Sequence, residues 1–309
     1  MSQSTGILLK LASVAFILSM QSLIKAMQGA VPPGEVVFFR ALLSIPFLLI
    51  WIWWMGRLPV VLKTQNLGGN VLRGIMGACA MGLTFASLTY LPLPEATAIF
   101  YVAPILTTVL AAIFLREPVR LIRVSAVAAG LIGVLVILWP RLGGFADGAD
   151  EQAALRAFGA MLALGAACFM ASAKILVRRL VGKDHPSTVV LYAAICASLA
   201  ALVTVPFGWV WPTPTQWGHL VAAGCLGAVG QALLTSAYKY ADASTIAPFD
   251  YSSMIFAILF GYLVFAEWPE VQTLIGAAIV IGAGGVILWR ETRLGLESTK
   301  ARQVSPPGR

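Results

Sequence analysis

Tyr90-Leu91-Pro92-Leu93-Pro94-Glu95-Ala96-Thr97-Ala98-Ile99-Phe100-Tyr101 is matched, at an offset of 150 residues, by Tyr240-Ala241-Asp242-Ala243-Ser244-Thr245-Ile246-Ala247-Pro248-Phe249-Asp250-Tyr251. The shared register extends beyond the two tyrosine pairs. Gly77 falls on Gly227, Ala78 on Ala228, Ile105 on Ile255, Glu117 on Glu267, Leu138 on Leu288 and Trp139 on Trp289, with no gap. Leucine and isoleucine matches arise by chance in apolar sequence, but Tyr, Glu and Trp paired at one offset do so far less often. At slightly different offsets Lys25 meets Lys174, and Val36-Val37 meets Val189-Val190. The chain therefore reads as two copies of one unit.

Each copy is strongly apolar. The 309 residues are 59% hydrophobic and 11% charged, against about 25% charged in an average soluble domain. Charges gather in short patches between apolar runs of about 18–25 residues, long enough to cross a ~30 Å hydrocarbon core. Ten spans are expected, near residues 7–27, 35–55, 70–90, 95–115, 120–139, 156–176, 187–208, 219–239, 245–266 and 270–289. The first run exceeds the usual 7–15 residues of a signal-peptide core and is followed at once by further spans. The net charge of +8 reports orientation, not nucleic acid, because basic residues beside a span stay on the cytoplasmic side. Arg57, Lys63, Arg73, Arg116, Arg120, Arg123, Arg178, Arg179, Lys183 and Lys239 fall on one side, and little beyond Arg141 and Arg156 on the other. Both termini are thus expected in the cytoplasm.

The expected organisation is a first five-helix repeat over 7–139, an extracytoplasmic linker at 140–155, a second repeat over 156–289 and a disordered cytoplasmic tail at 290–309. Five spans is an odd number, so the second copy enters the membrane from the opposite side. The fold class is an all-α integral membrane protein of ten transmembrane helices in two inverted repeats. Such a pair can exchange roles at the two mouths while a solute site stays near the midplane, which is the logic of a secondary transporter.

Phe114-Leu115-Arg116-Glu117-Pro118 followed by Gly130 and Gly133, and Phe265-Ala266-Glu267-Trp268 followed by Gln272, Gly276 and Gly282, close the two copies. Together with Pro33-Gly34-Glu35-Val36-Val37-Phe38-Phe39-Arg40 and Leu72-Arg73-Gly74, they resemble the drug/metabolite transporter superfamily of the ten-span type with two EamA domains. One departure is visible: Ala126 stands where the second copy has Gly276, which predicts looser packing of the fifth span. The resemblance implies transport of a small organic metabolite without ATP. The Phe-Phe-Arg second span is similar to relatives that take up solutes such as riboflavin or S-adenosylmethionine. Export of amino acids or drug-like metabolites is the alternative within the same class.

Ionisable groups inside spans are costly, so each needs a partner or an aqueous cavity. Asp250 leads the candidates: it lies early in the ninth span after Pro248, where a freed carbonyl beside a carboxylate can bind a cationic group, a proton or an amide. A helix-start carboxylate held by the dipole is the competing account. Tyr101 and Tyr251 offer stacking or hydrogen bonds from both copies, and Arg40, Gln231 and Ser253 complete the expected substrate-binding set. Lys25 and Arg40 can attract an anion or snorkel to headgroups. Thr84 and Ser87 offer hydrogen bonds or interhelical glue. Glu117 and Glu267 stand at helix starts, each with a proline behind, which reads as capping.

The four cysteines fall in apolar runs without metal or redox spacing and read as buried small hydrophobes. No cofactor, metal or nucleic acid is expected. His185 and His219 stand alone, and no HExxH, GxSxG or Walker loop is present, so the chain is not read as an enzyme or an ATP-driven pump. The expected partners are a small-molecule substrate and the bilayer, with proton or cation coupling and a monomer or homodimer left open. A channel or lipid-handling protein is the alternative of another class; a channel would show a polar stripe or charged rings.

Overall fold

A computed structural model describes residues 3–56, 58–114, 121–146, 151–180, 184–237, 240 and 247–286. Hydrocarbon supplies no partner to a backbone N–H or C=O, so a chain this apolar satisfies its backbone by coiling. Among the described residues it is helical, with no strand. The crossings are α1 (Gln3–Ala26), α2 (Pro33–Trp54), then after a single turn α3 (Leu58–Val61), α4 (Leu67–Tyr90), and the broken pair α5 (Leu93–Phe100) and α6 (Val102–Phe114). They continue with α7 (Leu121–Ala146), α8 (Glu151–Leu180), α9 (Pro186–Ala201) running into a 3₁₀ turn (Leu202–Phe207), and α10 (Pro214–Ala237). A 3₁₀ segment (Ala247–Ser252) leading into α11 (Ser253–Phe265) and a final α12 (Val271–Val286) complete the bundle. Among the described residues seven stretches, with Leu93–Leu110 across the broken pair as one, are long and apolar enough to cross a membrane outright, and shorter apolar stretches follow at Val127–Ile137 within α7, Phe249–Phe265 and Val271–Val286.

Local chemistry explains the ends. Pro33 and Pro94 occupy first-turn positions, where a missing N–H costs nothing. Asn66 caps α4 by accepting the Gly69 N–H at 3.0 Å, and His185 caps α9 by accepting the Ser187 N–H at 3.2 Å. Gly29, at φ +74°, closes the turn between α1 and α2, and Thr89 occupies the space a β-carbon there would need. α7 runs to Ala146 and α8 starts at Glu151, so the described parts of the 140–155 connection are helical. The tail beyond Val286 lies outside the described residues, as do Glu117 and Trp289.

The fifth and tenth crossings meet through glycine. A β-carbon at Gly276 would fall 2.6 Å from the Gly133 carbonyl oxygen, and one at Gly133 would fall 2.9 Å from that of Gly276. Gly276 therefore makes its close approach against Gly133. Small residues permit such backbone contact where the hydrophobic effect drives no helix association. Cys168 and Cys225 are exposed on the bundle's outer surface and Cys79 and Cys196 are half-buried, so the expectation of four buried cysteines is corrected.

Contacts between connections join ends expected on the same side. At the expected extracytoplasmic face Lys25 pairs with Glu267 at 2.9 Å and donates to the Leu91 carbonyl at 2.5 Å. Glu267 in turn accepts the Leu93 N–H at 3.1 Å. It is thus a cap, as its position implied, but for the first repeat's α5 instead of the helix that follows it. Glu35 accepts the Val210 N–H at 3.0 Å on the same face. At the opposite face Asp184 accepts from Thr64 Oγ1, the Gln65 N–H and Asn70 Nδ2, each at 2.7 Å.

Burial pushes the Asp184 carboxyl upward, but those hydrogen bonds, with one from the Asn66 N–H, outweigh it and hold the group below the ordinary 3.8. A depressed folded value stabilises the protein above the unfolded value, and the contribution is lost as pH falls through the folded one. Melting of the purified protein should therefore lose a step below about pH 4 that Asp184→Ala lacks, that variant being weaker by about 1–3 kcal/mol at neutral pH. Lys25→Met and Glu267→Gln, combined in a double-mutant cycle of unfolding free energies, should couple by about 0.5–3 kcal/mol; additive effects would show the pair to be idle.

Candidate functional site

The break between α5 and α6 follows from Pro104. Lacking an N–H, it leaves the Phe100 carbonyl without its helical partner, and the chain turns through Tyr101, whose own N–H reaches Ala98 O at 3.3 Å. In the second copy the 3₁₀ segment Ala247–Ser252 contains Pro248 and precedes α11. Tyr101 thus stands at the break in the first copy, and its equivalent Tyr251 stands in the 3₁₀ segment of the second.

Those tyrosines touch. Their rings lie 5.3 Å apart in an edge-to-face arrangement at 69°. Tyr101 Oη donates to the Tyr251 carbonyl at 3.0 Å and shares a hydrogen bond with Ser253 Oγ at 2.8 Å. Gly284 of α12 leaves the space that the Tyr251 phenol fills. Two residues related by an internal two-fold can meet only where that axis passes, so Tyr101 and Tyr251 mark it. With Tyr101 5% exposed, its ring packs on Tyr251 and its hydroxyl is engaged; Tyr251 and Ser253 keep partial exposure.

Asp250 sits beside this junction, and its side chain is half exposed. Lys10 of α1, itself buried, meets Asp250 Oδ1 at 2.5 Å. Sequence reasoning missed Lys10, although a lone lysine early in an apolar run, between Leu9 and Leu11, carried the signal. The pair offsets a cost of about 2.5–3.5 kcal/mol for an isolated charge at mid-membrane.

A single stripe of α1 leads from this junction to a second group. Lys10 meets Asp250, Ser13 Oγ donates to the Gly230 carbonyl at 2.7 Å, Ile17 packs on Gly230, and Met20 faces Gly227. These α1 positions recur at helical spacing and line one face. Gln231 follows Gly230 on α10. Arg40 of α2 enters the same space, with Nε 3.4 Å from Met20 Sδ and Nη1 2.6 Å from Met81 Sδ. It points between helices, not toward headgroups.

The expected set thus divides. Asp250, Tyr251, Tyr101 and Ser253 come together at the tyrosine junction, while Arg40 enters the α1–α2–α10 space and Gln231 is half-buried on α10. Arg73, counted among the basic residues of the cytoplasmic side, is half-buried in the second turn of α4, where its neighbour Gly74 abuts Cys196 of α9. Thr84 and Ser87 are buried and return their hydroxyls to carbonyls of their own helix, Ala80 and Thr84 respectively. No group of residues suited to hold a metal occurs among the described residues.

The sequence matches the EamA-like transporter family over residues 4–139 and 157–289, one match per repeat. A riboflavin transporter of Vibrio cholerae serotype O1 is 30% identical over 282 residues, covering 91% of this chain and 90% of that protein. The pseudopaline exporter CntI of Pseudomonas aeruginosa is 29% identical, with 90% and 94% covered. An S-adenosylmethionine uptake transporter of Rickettsia felis is 28% identical, with 84% of each covered. A solved crystal structure superposes with a TM-score of 0.61 at 20% identity, over 92% of this chain and 97% of that one, which shows a shared fold. The chain is a multi-pass membrane protein that belongs to the EamA-like transporter family.

Proposed function

We propose that this chain is a secondary carrier that moves a small organic metabolite across the inner (plasma) membrane by alternating access, with both termini in the cytoplasm. The contact between Tyr101 and Tyr251 carries the reading. Irregular backbone at repeat-related positions, meeting on the internal axis, exposes backbone carbonyls and side chains to a solute near mid-membrane. Each half can then rock about that junction while the face contacts, Lys25 with Glu267 on one side and Asp184 with the Thr64–Asn70 segment on the other, form and release.

In this reading Asp250, Tyr251, Tyr101, Arg40, Gln231 and Ser253 line the solute path. Asp250 binds a cationic or hydrogen-bonding part of the solute, or the proton or cation that drives transport, by exchanging it for Lys10. Uptake of a riboflavin-like or S-adenosylmethionine-like solute is supported by two of the relatives; the exporter among them keeps the opposite direction open to the same fold.

Counterflow into proteoliposomes preloaded with riboflavin or S-adenosylmethionine tests the carrier. Saturable, trans-stimulated uptake of one of them is expected, whereas flux linear in concentration would indicate a pore. Asp250→Asn should lower transport by about tenfold, the scale of one charge-assisted hydrogen bond, with the folded amount nearly unchanged. The double variant Lys10→Met/Asp250→Asn separates roles: recovered transport would reduce the pair to scaffolding, and continued loss supports a carboxylate that meets the solute.

A further inference from the structure

Arg40 and Arg73 are two guanidinium groups in the interior of the bundle, on antiparallel neighbours α2 and α4. Arg40 lies roughly 10 Å along α2 from one face, and Arg73 about 9 Å along α4 from the other, at 1.5 Å rise per residue. They therefore flank the middle of the membrane. Arg73 Nη1 lies 3.5 Å from where a β-carbon on Gly77 would sit and Arg40 Nη1 lies 2.6 Å from Met81 Sδ, so the two groups approach α4 one helical turn apart. Among the described residues neither has a carboxylate partner. Arg40 is left with two thioether sulfurs, weak acceptors, and the buried Nε of Arg73 has no hydrogen-bond partner.

The surroundings favour an occupant over a lipid-facing snorkel. Met20 of α1 and Met81 of α4 hold Arg40 inward, and Gly227 of α10 removes the side chain that would fill the space beside it: a β-carbon there would lie 3.1 Å from Arg40 Nε. Helices of both repeats thus enclose the Arg40 guanidinium, and both arginines are half-buried. Lys10 differs in being neutralised by Asp250. Two planar forks with free donors and no counter-charge match an oxyanion, which can accept from both.

We infer that Arg40 and Arg73 together bind a carboxylate or phosphate group of the transported solute. This rests on the carrier reading and narrows it: the solute has an organic body and at least one oxyanion, and a neutral solute leaves both charges uncompensated.

Inorganic phosphate is the probe. It is titrated into the purified full-length protein in phosphatidylcholine nanodiscs, at constant ionic strength made up with chloride, while melting temperature is followed. A saturable rise of a few degrees is expected. Arg40→Gln and Arg73→Gln should each weaken half-saturation by about tenfold or more, one charge-assisted contact. If a glutamine variant fails to accumulate, the corresponding Arg→Lys variant, which keeps the charge and loses the fork, should still bind more weakly. A flat or unsaturable response in the wild type overturns the site, as does a saturable one that either variant leaves intact. Loss of the phosphate response in phosphatidylglycerol discs would assign the arginines to a lipid headgroup and overturn the solute assignment. Counterflow is read separately: exchange of a neutral solute without a phosphate response removes the anion site alone, and phosphate binding without counterflow removes the carrier alone.

Discussion

A charge or an unpaired peptide group inside hydrocarbon has nothing to bond to unless the protein supplies it, and most of this architecture follows from that constraint. Coiling satisfies the backbone, so every crossing is helical. Among the described residues, the break before Pro104 and the 3₁₀ segment that contains Pro248 both sit at the junction of the repeats, with their tyrosines in contact. An irregular backbone is tolerated there because protein surrounds it. The same constraint sorts the charged side chains: Lys10 with Asp250, Lys25 with Glu267, and Arg40 and Arg73 with no counter-charge among the described residues.

The duplication is approximate where it matters for chemistry. Tyr101 and Tyr251 are equivalent, but Phe100 stands where the second copy has Asp250, and Gly159, in the register that pairs Lys25 with Lys174, stands where the first has Lys10. The carboxylate and its lysine are therefore features of one side of the axis. Two similar halves supply a rocking scaffold, and the departures from their symmetry give the cavity one polarity. The arginines add to that asymmetry, since both come from the first repeat while Gly227 of the second makes room for one of them.

Much of the fold was legible before any coordinates. Spans expected at 35–55, 70–90 and 187–208 appear as helices over 33–54, 67–90 and 186–207, because a bilayer imposes a length on each apolar run. The largest extension at one end was in α7, which continues through the stretch after Trp139; hydropathy falls there, yet nothing in the backbone stops the helix. The site was legible in part. Asp250 and the paired tyrosines stood out as a carboxylate and as repeat equivalents, but Lys10 was not singled out within its apolar run and Arg73 was read only among the basic residues that report orientation.

Composition and periodicity determined the number of crossings, the two copies and their opposed entry, since each is a sum over neighbouring residues or a comparison of one stretch with another. Only the tertiary structure decided which charges meet. Lys10 and Asp250 are 240 residues apart, and whether they touch depends on the rotation of α1 about its axis and its height against the ninth crossing. Those are set by glycine contacts and packing among all the helices at once, which no local pattern encodes.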